Sequence, residues 1–300
     1  MAREKIKKEK RIGKKVDIDY IKLLGKSWND FWKNFVLVLP GIAGIVLGIA
    51  FLILLAIEAL VFIAFNKEIL SVSSISPSAI LSTIGTAGWI ILGFFVILDT
   101  LLLLCLIAYT GAMQIGMFYD VAKKGKTSVR EMFSHGKRLF RKYFSLALIL
   151  VLLYFIPFIF LAGIAVGAFL INTILGIATS IILGLIYLTW STLLIFGLFF
   201  MAPLLASREE STWKLCKESL FYMKKNFSHV FFTWLACFIV GTIIGSAVNI
   251  TSFSLNLLSN LASAAGLVFL PLRAALPIAS ALANIILGLF LFESWFAKNK

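Results

Sequence analysis

Charged residues are scarce in this 300-residue chain, in which Asp, Glu, Lys and Arg make up 14% of the residues and hydrophobic residues make up 61%. An average soluble domain carries about a quarter charged residues. A chain with so little charge cannot hide its apolar side chains in one water-soluble core. The composition therefore excludes an ordinary soluble protein and predicts an integral membrane protein.

Residues that commonly bind metals or perform catalysis are also few. The chain has only three cysteines and two histidines, at positions Cys105, Cys216, Cys237, His135 and His229. None of them stands at the close spacing of a zinc or redox motif. Neither a glycine-rich phosphate loop nor a nucleophile elbow is visible. We therefore expect no metal and no cofactor, and a lipid-modifying enzyme is the weakest of the functional hypotheses.

Long apolar runs are what the chain has in abundance. Six of them reach the roughly 20 residues that a helix needs to cross a bilayer. They are 36–65, 88–109, 144–171, 174–206, 230–248 and 266–295. The first run begins near Val36 and is too long for a signal-peptide core, so we expect it to stay in the membrane as an anchor. The predicted fold is an all-α polytopic membrane protein with six transmembrane helices.

The distribution of positive charge predicts the orientation of these helices. Of the 28 basic residues, 26 lie in four segments: before Phe35, between Thr110 and Tyr143, between Arg208 and Asn226, and at the C-terminus. Six spans put all four segments on the same side, and the positive-inside rule makes that side cytoplasmic, with both termini there. Because sidedness explains the net charge of +14, we expect no nucleic-acid partner.

Three amphipathic segments, 19–35, 128–144 and 211–227, each end on a phenylalanine that opens an apolar run. A lysine stands two residues before each phenylalanine, giving Lys33, Lys142 and Lys225. A small residue stands eight residues before it, giving Ser27, Gly136 and Ser219. The recurrence predicts a basic tail at 1–18 and a membrane domain at 19–300 built of three repeats, 19–109, 128–206 and 211–297. Each repeat is predicted to be an interfacial helix followed by a helical hairpin.

The amphipathic segments suggest roles for the recurring residues. Apolar residues recur at every fourth position with the small residue in the middle, which predicts that another helix packs closely there. The lysines are expected to contact anionic lipid headgroups. Ser128 followed by Glu131 is typical of a capping box at a helix start. We expect the three segments to lie along the membrane interface; the alternative is that each only extends the following membrane helix.

Ionisable residues inside the membrane are usually functional, and three qualify: Glu58, Asp99 and Arg273. Counting about 1.5 Å per residue from the cytoplasmic end of each apolar run puts Glu58 and Arg273 about 33 to 35 Å away and Asp99 about 15 Å away. These depths predict a pair between Glu58 and Arg273 near the outer surface. Asp99 is predicted to be alone near the midplane, either hydrogen-bonded to a neighbouring helix or acting as a relay for a proton or cation.

The motif Ala202-Pro203-Leu204-Leu205, followed by Lys217-Glu218-Ser219 and Lys224-Lys225-Asn226-Phe227, carries a family resemblance. Together with Trp32-Lys33-Asn34-Phe35, it resembles the six-span membrane domain found with some glycerophosphoryl diester phosphodiesterases and in related prokaryotic membrane proteins of unknown function. The segment Tyr119 to Gly125 fits the second cytoplasmic segment of that domain. The resemblance implies a prokaryotic membrane domain without assigned chemistry from Tyr20 onward, and these 300 residues leave no room for the phosphodiesterase domain itself.

Three two-helix repeats also describe mitochondrial carriers, but the signature of that family is missing. Carriers place an acidic and then a basic residue after a proline at the ends of odd helices. Here Pro40 is followed by Gly41, Ile42 and Ala43. The sequence therefore excludes a carrier.

Two functional hypotheses remain. The favoured one is a non-enzymatic membrane domain that organises or binds lipid, anionic lipid above all, or a membrane partner, through its basic interfacial helices. The alternative is a transporter or channel in which Asp99 handles a proton or small cation. A second membrane protein and a second copy of the chain are both open as protein partners.

Overall fold

The protein has an all-α polytopic membrane fold, as the composition predicts. The computed structural model describes residues 18–65, 85–261 and 270–299, and in them six helices are long and apolar enough to cross a membrane. The basic tail at 1–17, most of the loop after the first span and the first residues of the sixth predicted span lie outside the described residues. The chain is therefore a multi-pass membrane protein.

The first part of the fold consists of α1 (Tyr20–Lys33), a 3-10 turn (Phe35–Val38), α2 (Leu39–Phe65) and α3 (Thr86–Lys124). Asp19 caps α1, because its Oδ1 accepts a hydrogen bond of 3.1 Å from the Lys22 amide. Gly125 ends α3 in the left-handed region with φ of 75°, a conformation that favours glycine.

The second part consists of α4 (Val129–Ile171), α5 (Thr173–Leu198) and the short α6 (Met201–Ser207). The predicted capping box is present at the start of α4: the Ser128 hydroxyl accepts from the Glu131 amide at 3.3 Å and donates to the Glu131 carboxylate at 3.0 Å. The helix breaks between α5 and α6, at Phe199 and Phe200. Pro203 accounts for the break, because a proline ring clashes with the carbonyl four residues earlier.

The third part consists of α7 (Thr212–Lys225), α8 (Phe227–Leu261) and α9 (Leu270–Lys298). Both α1 and α7 stop at an asparagine, Asn34 and Asn226, whose backbone leaves the helical region. Each side-chain amide donates to a carbonyl of its own helix, that of Asp30 at 2.8 Å and that of Tyr222 at 3.4 Å. An asparagine that bonds local backbone in this way competes with helix continuation. The chain therefore bends at these two positions before it enters the next helix.

The second copy does not bend, and there the prediction of a separate interfacial helix is wrong. The position aligned with Asn34 and Asn226 is Tyr143, which lies inside the continuous helix α4. Tyr143 cannot make the backbone bond of an asparagine, and its ring instead covers Gly111 of α3, where a Cβ would lie 2.6 Å from the ring. In this copy the amphipathic segment extends the membrane helix.

The buried core lies at the end of the bundle that carries the basic segments. Its fully buried large side chains include Phe31, Leu37, Met117, Leu205, Leu215 and Phe292. By contrast, the most apolar stretches of α2, α3 and α4 contain no buried residue. Hydrogen bonds join the segments at the basic end: Asn34 bonds both Gly125 and Thr127, and Lys142 bonds the Arg208 carbonyl. The described parts of the basic segments thus form one structural layer.

Candidate functional site

Helix α1 presents three different sides to its surroundings. One side packs toward α9 and the core, through the buried residues Ser27 and Phe31. A second side leaves large apolar side chains exposed, namely Ile21, Trp28 and Trp32. A third side carries the exposed lysines Lys22, Lys26 and Lys33. A helix with a protein-facing side, an apolar side and a cationic side is suited to the boundary between protein, lipid and water.

The exposed apolar side of α1 is an aromatic stripe. The ring centroids of Trp28 and Trp32 are 5.9 Å apart in an edge-on arrangement, and those of Trp32 and Phe35 are 6.0 Å apart and nearly parallel. All three rings are about half exposed. Tryptophan is enriched at the boundary between hydrocarbon and headgroups, because its ring is apolar and its N–H is polar.

A buried carboxylate fastens α1 to α9. The Ser27 hydroxyl donates a hydrogen bond of 2.9 Å to Oε2 of Glu293, and Lys26 Nζ lies 3.0 Å from Oε1. Lys26 Nζ also lies 3.4 Å from Oδ2 of Asp30. The Glu293 side chain is completely buried, whereas that of Lys26 is half exposed. Lys26 therefore supplies the positive charge for a carboxylate that water does not reach.

The environment of Lys26 keeps its ammonium charged. Partial burial lowers its pKa, but the hydrogen bond and charge of Glu293, together with Asp30, raise it by more, so the pKa lies above the ordinary value of 10.5. This lysine is consequently positive at neutral pH, and its charge is paired with Glu293 of α9.

An apolar groove lies between α1, α8 and α9. Its volume is about 400 Å³. Residues of all three helices line it; they include Leu24, Trp28, Trp32, Val240, Ala279 and Ala283. Every residue that lines the groove is apolar or aromatic. The groove is hereafter called the α1 groove.

The three lysines expected to contact headgroups differ in their surroundings. Lys33 and Lys225 are exposed at the ends of α1 and α7. Lys142 is half-buried, and its Nζ donates a hydrogen bond of 2.6 Å to the Arg208 carbonyl. Two of the three ammonium groups are thus open to solvent, while the third connects α4 to the segment before α7.

The three small residues lie in contacts between helices. Ser27 meets Glu293 of α9, and the Ser219 hydroxyl donates a hydrogen bond of 2.7 Å to the Gly197 carbonyl of α5. At Gly136 a Cβ would lie 2.9 Å from Cγ of Met113 in α3. In each predicted repeat a second helix therefore lies against the small residue, although the partner helix differs.

Inside the membrane segments the structure corrects the expected pairing. Glu58 of α2 lies close enough to Asp99 of α3 for the two carboxyls to influence each other electrostatically, so Asp99 is not alone. Thr110 faces Gly44, because a Cβ at residue 44 would lie 3.6 Å from the Thr110 methyl group. Along the helix axes, Asp99 lies about 16 Å from Thr110 and Glu58 lies about 21 Å from Gly44, so the two acids are at similar depths. The depth prediction failed because α3 continues to Lys124, well beyond the residue assumed to be its cytoplasmic end.

Arg273 contacts α8 in the structure. Its Nη2 donates to the Leu255 carbonyl at 3.2 Å and to Oδ1 of Asn256 at 2.9 Å. Glu58, its predicted partner, lies near Asp99 of α3. Arg273 therefore connects the two helices of the last hairpin.

A second buried acid, Asp120 near the end of α3, faces the start of α4. Asp120 of α3 contacts the His135 ring, and its other oxygen lies 2.8 Å from Lys124 Nζ. The other ring nitrogen of His135 lies 3.1 Å from Arg138 Nη2. Among the described residues, no third His, Cys, Asp or Glu joins Asp120 and His135 closely enough to hold a metal ion. This network fastens α4 to α3 as Glu293 fastens α1 to α9.

The second histidine joins the first and last parts of the fold. Nδ1 of His229 lies 3.0 Å from the Tyr20 hydroxyl, and its ring stacks on Phe200 with centroids 5.2 Å apart. Below it, the hydroxyls of Thr233 and Ser294 lie 2.9 Å apart. His229 therefore has a role in packing α1, α8 and α9 together.

The site residues predicted from the sequence include neither Glu293 nor Asp120. Both are acids close to the basic end of a long apolar helix, where charged residues are ordinary. A usable signal exists for Glu293, because it is the one acid in the apolar run from Leu282 to Phe296. Its burial depends on Ser27, which is 266 residues away in the chain, and no local pattern reveals such a contact.

Comparison with protein-family models, with curated proteins and with solved structures found no match for this chain. The resemblance to the membrane domain of glycerophosphoryl diester phosphodiesterases therefore stays a prediction.

Proposed function

We propose that this protein is a non-enzymatic membrane domain that binds anionic lipid at its basic end. The observation that carries the proposal is the arrangement of α1, on which an exposed aromatic stripe lies beside exposed lysines while the remaining side is fixed to α9. Aromatic rings favour the boundary of the hydrocarbon, and basic residues there attract anionic headgroups with about 1 kcal/mol each.

Helix α7 supports the same function. It is fixed to the core through Leu215 and Ser219, while Trp213 and Phe221 remain exposed. Lys217 Nζ lies 5.6 Å from the centre of the Trp213 ring, so a cation and an aromatic side chain share the exposed surface here too. Two of the three predicted repeats thus present an aromatic and basic helix that ends at an asparagine bend.

The basic end faces the cytoplasm in this proposal, in the cytoplasmic membrane of a prokaryote. The four basic segments hold nearly all the Lys and Arg of the chain, and their described parts share one layer; segments of this kind are retained on the cytoplasmic side. Labelling of an introduced cysteine at Lys126 with a membrane-impermeant reagent, before and after permeabilising cells, checks this orientation.

The double substitution Lys33→Gln and Lys225→Gln should reduce the preference for anionic over zwitterionic lipid by about fivefold per lysine, as expected for about 1 kcal/mol of attraction each. The preference is measured by native mass spectrometry of protein released from nanodiscs that contain phosphatidylglycerol and phosphatidylcholine. Low salt is needed, because screening is weakest there.

Lys142→Gln is the matched control for the double variant. Its ammonium is bonded to the Arg208 carbonyl, so its loss should leave the lipid preference unchanged. If the double variant keeps the wild-type preference at low salt, the proposed function is wrong.

The Glu58 and Asp99 pair favours a second candidate function, proton or small-cation transport. Two interacting carboxyls in an apolar environment repel each other unless they share a proton or bind a cation. Asp99→Asn should then abolish proton-coupled or cation-coupled flux in reconstituted vesicles, with thermal stability preserved. Wild-type protein that conducts no flux under a proton or sodium gradient would exclude this candidate.

A further inference from the structure

The α1 groove begins at the aromatic stripe and continues along the membrane part of α9. Its lining residues on α9 extend from Leu287 to Ala279, which are 6 and 14 residues before Glu293. At about 1.5 Å per residue, the groove extends from about 9 to about 21 Å below the contact between Ser27 and Glu293. One leaflet contributes about half of the roughly 30 Å hydrocarbon core. The groove therefore has the depth of one leaflet.

The size of the groove limits what can occupy it. The groove is about 12 Å long, which is about two turns of an α-helix, so a partner helix would contact it over only a small part of its length. A single flexible hydrocarbon chain can follow a groove of this volume, and the wholly apolar lining matches its chemistry.

The segment 1–17 of this chain is an unsuitable occupant. It carries eight basic residues, Arg3, Lys5, Lys7, Lys8, Lys10, Arg11, Lys14 and Lys15. Burying such charges in an apolar groove without partners is costly. The occupant has to be apolar where it enters the groove.

The side chains beside the groove indicate which headgroup would match it. Trp28 and Trp32 line the groove at α1, and the exposed lysines Lys22 and Lys33 lie on the neighbouring side of the same helix. Lys26, between them in sequence, is neutralised by Glu293. A molecule with a hydrocarbon chain and an adjacent negative charge matches both surfaces.

We propose that the α1 groove holds one acyl chain of an anionic phospholipid from the leaflet at the basic end, with its headgroup beside Lys22 and Lys33. This inference rests on the proposed function and adds to it a defined, single lipid site. The site is built from the first and third repeats together, because α1 belongs to the first and α8 and α9 to the third.

The first test blocks the groove with a larger side chain. Ala283 lines it, and Ala283→Phe places a ring in the space of the acyl chain. Delipidated protein in detergent is titrated with phosphatidylglycerol, and native mass spectrometry counts the bound lipids. We expect the affinity of the tightest site to fall at least tenfold, whereas Ala281→Phe, on an exposed residue outside the groove, should bind like wild type.

A second pair of variants tests the site without filling it. Trp28→Ala removes part of the groove lining and should also weaken the tightest site, while Trp213→Ala, at a residue of similar exposure on α7, should not; the exposed fractions are 52% and 54%. Because both side chains are half exposed, neither change is expected to prevent folding. Unchanged affinity in Trp28→Ala, or in folded Ala283→Phe, would overturn the inference.

The lipid class provides the last comparison. Phosphatidylcholine with the same chains should bind the tightest site more weakly than phosphatidylglycerol, and equal affinities would contradict the assigned headgroup. Failure of the inference is distinguishable from failure of the proposed function. If Ala283→Phe binds normally while Lys33→Gln with Lys225→Gln loses its lipid preference, the basic helices bind lipid but the groove does not.

Discussion

Replacing Lys26 with methionine is expected to lower the free energy of unfolding by about 3 kcal/mol, the lower end of the range for breaking a buried ion pair. The variant leaves the completely buried carboxylate of Glu293 with Ser27 as its remaining hydrogen-bond donor. The lower end of the range applies because the Lys26 side chain is half exposed, and solvent already screens part of its charge. Denaturation in a fixed detergent, followed by circular dichroism, measures the effect.

The loss in Lys26→Met should shrink at acidic pH, because a protonated Glu293 no longer needs a positive partner. Lys22→Met is the control on the same helix. It removes an exposed ion pair in which Lys22 Nζ lies 3.4 Å from Oδ2 of Asp19. Because exposed ion pairs contribute little, the unfolding midpoint should hardly change. Equal midpoints for the two variants at neutral pH would show that Glu293 does not depend on Lys26.

Replacing Gly136 with leucine is expected to lower the free energy of unfolding by about 3 kcal/mol, through overpacking between α3 and α4. Even the first atom of a side chain at this position would lie 2.9 Å from Met113 and 3.1 Å from Tyr109. A leucine adds three further carbons, so α3 and α4 have to separate. Thermal unfolding in detergent measures the change.

Gly163→Leu is the matched control, with the same substitution on the same helix. A Cβ at Gly163 would meet nothing within 4 Å, and the added side chain projects into open space. This variant should unfold at the wild-type temperature. If Gly136→Leu does so too, α3 and α4 do not pack at that level.

The sequence predicts the positions of the spans well because hydrophobic length is a local property. It also singles out Ser27, Gly136 and Ser219, because a small residue stands at the same position in all three amphipathic segments. The bends are readable in principle: Asn34 and Asn226 stop their helices, and Tyr143 does not. Treating the three positions as equivalent concealed this difference, because the repeat suggested one structure for all copies.

The pairing of Glu58 with Asp99 could not be found by counting residues. The count depends on where each helix reaches the membrane boundary, and α3 continues about ten residues beyond Gln114, whose side chain donates to the Leu37 carbonyl. The register between α2 and α3 comes from contacts such as that of Gly44 with Thr110. These are tertiary contacts without a pattern in a single sequence.

The continuous helix α4 has a mechanical consequence. Its 43 residues form a rod about 64 Å long, about twice the thickness of the hydrocarbon core. A change of bilayer thickness alters the tilt of such a helix, and the part of α4 before Pro157 carries that tilt from the membrane into the basic layer. The bends at Asn34 and Asn226 release α1 and α7 from the tilt of α2 and α8. We therefore expect a change of membrane thickness to displace the second repeat against the other two, in the layer where the charges are concentrated.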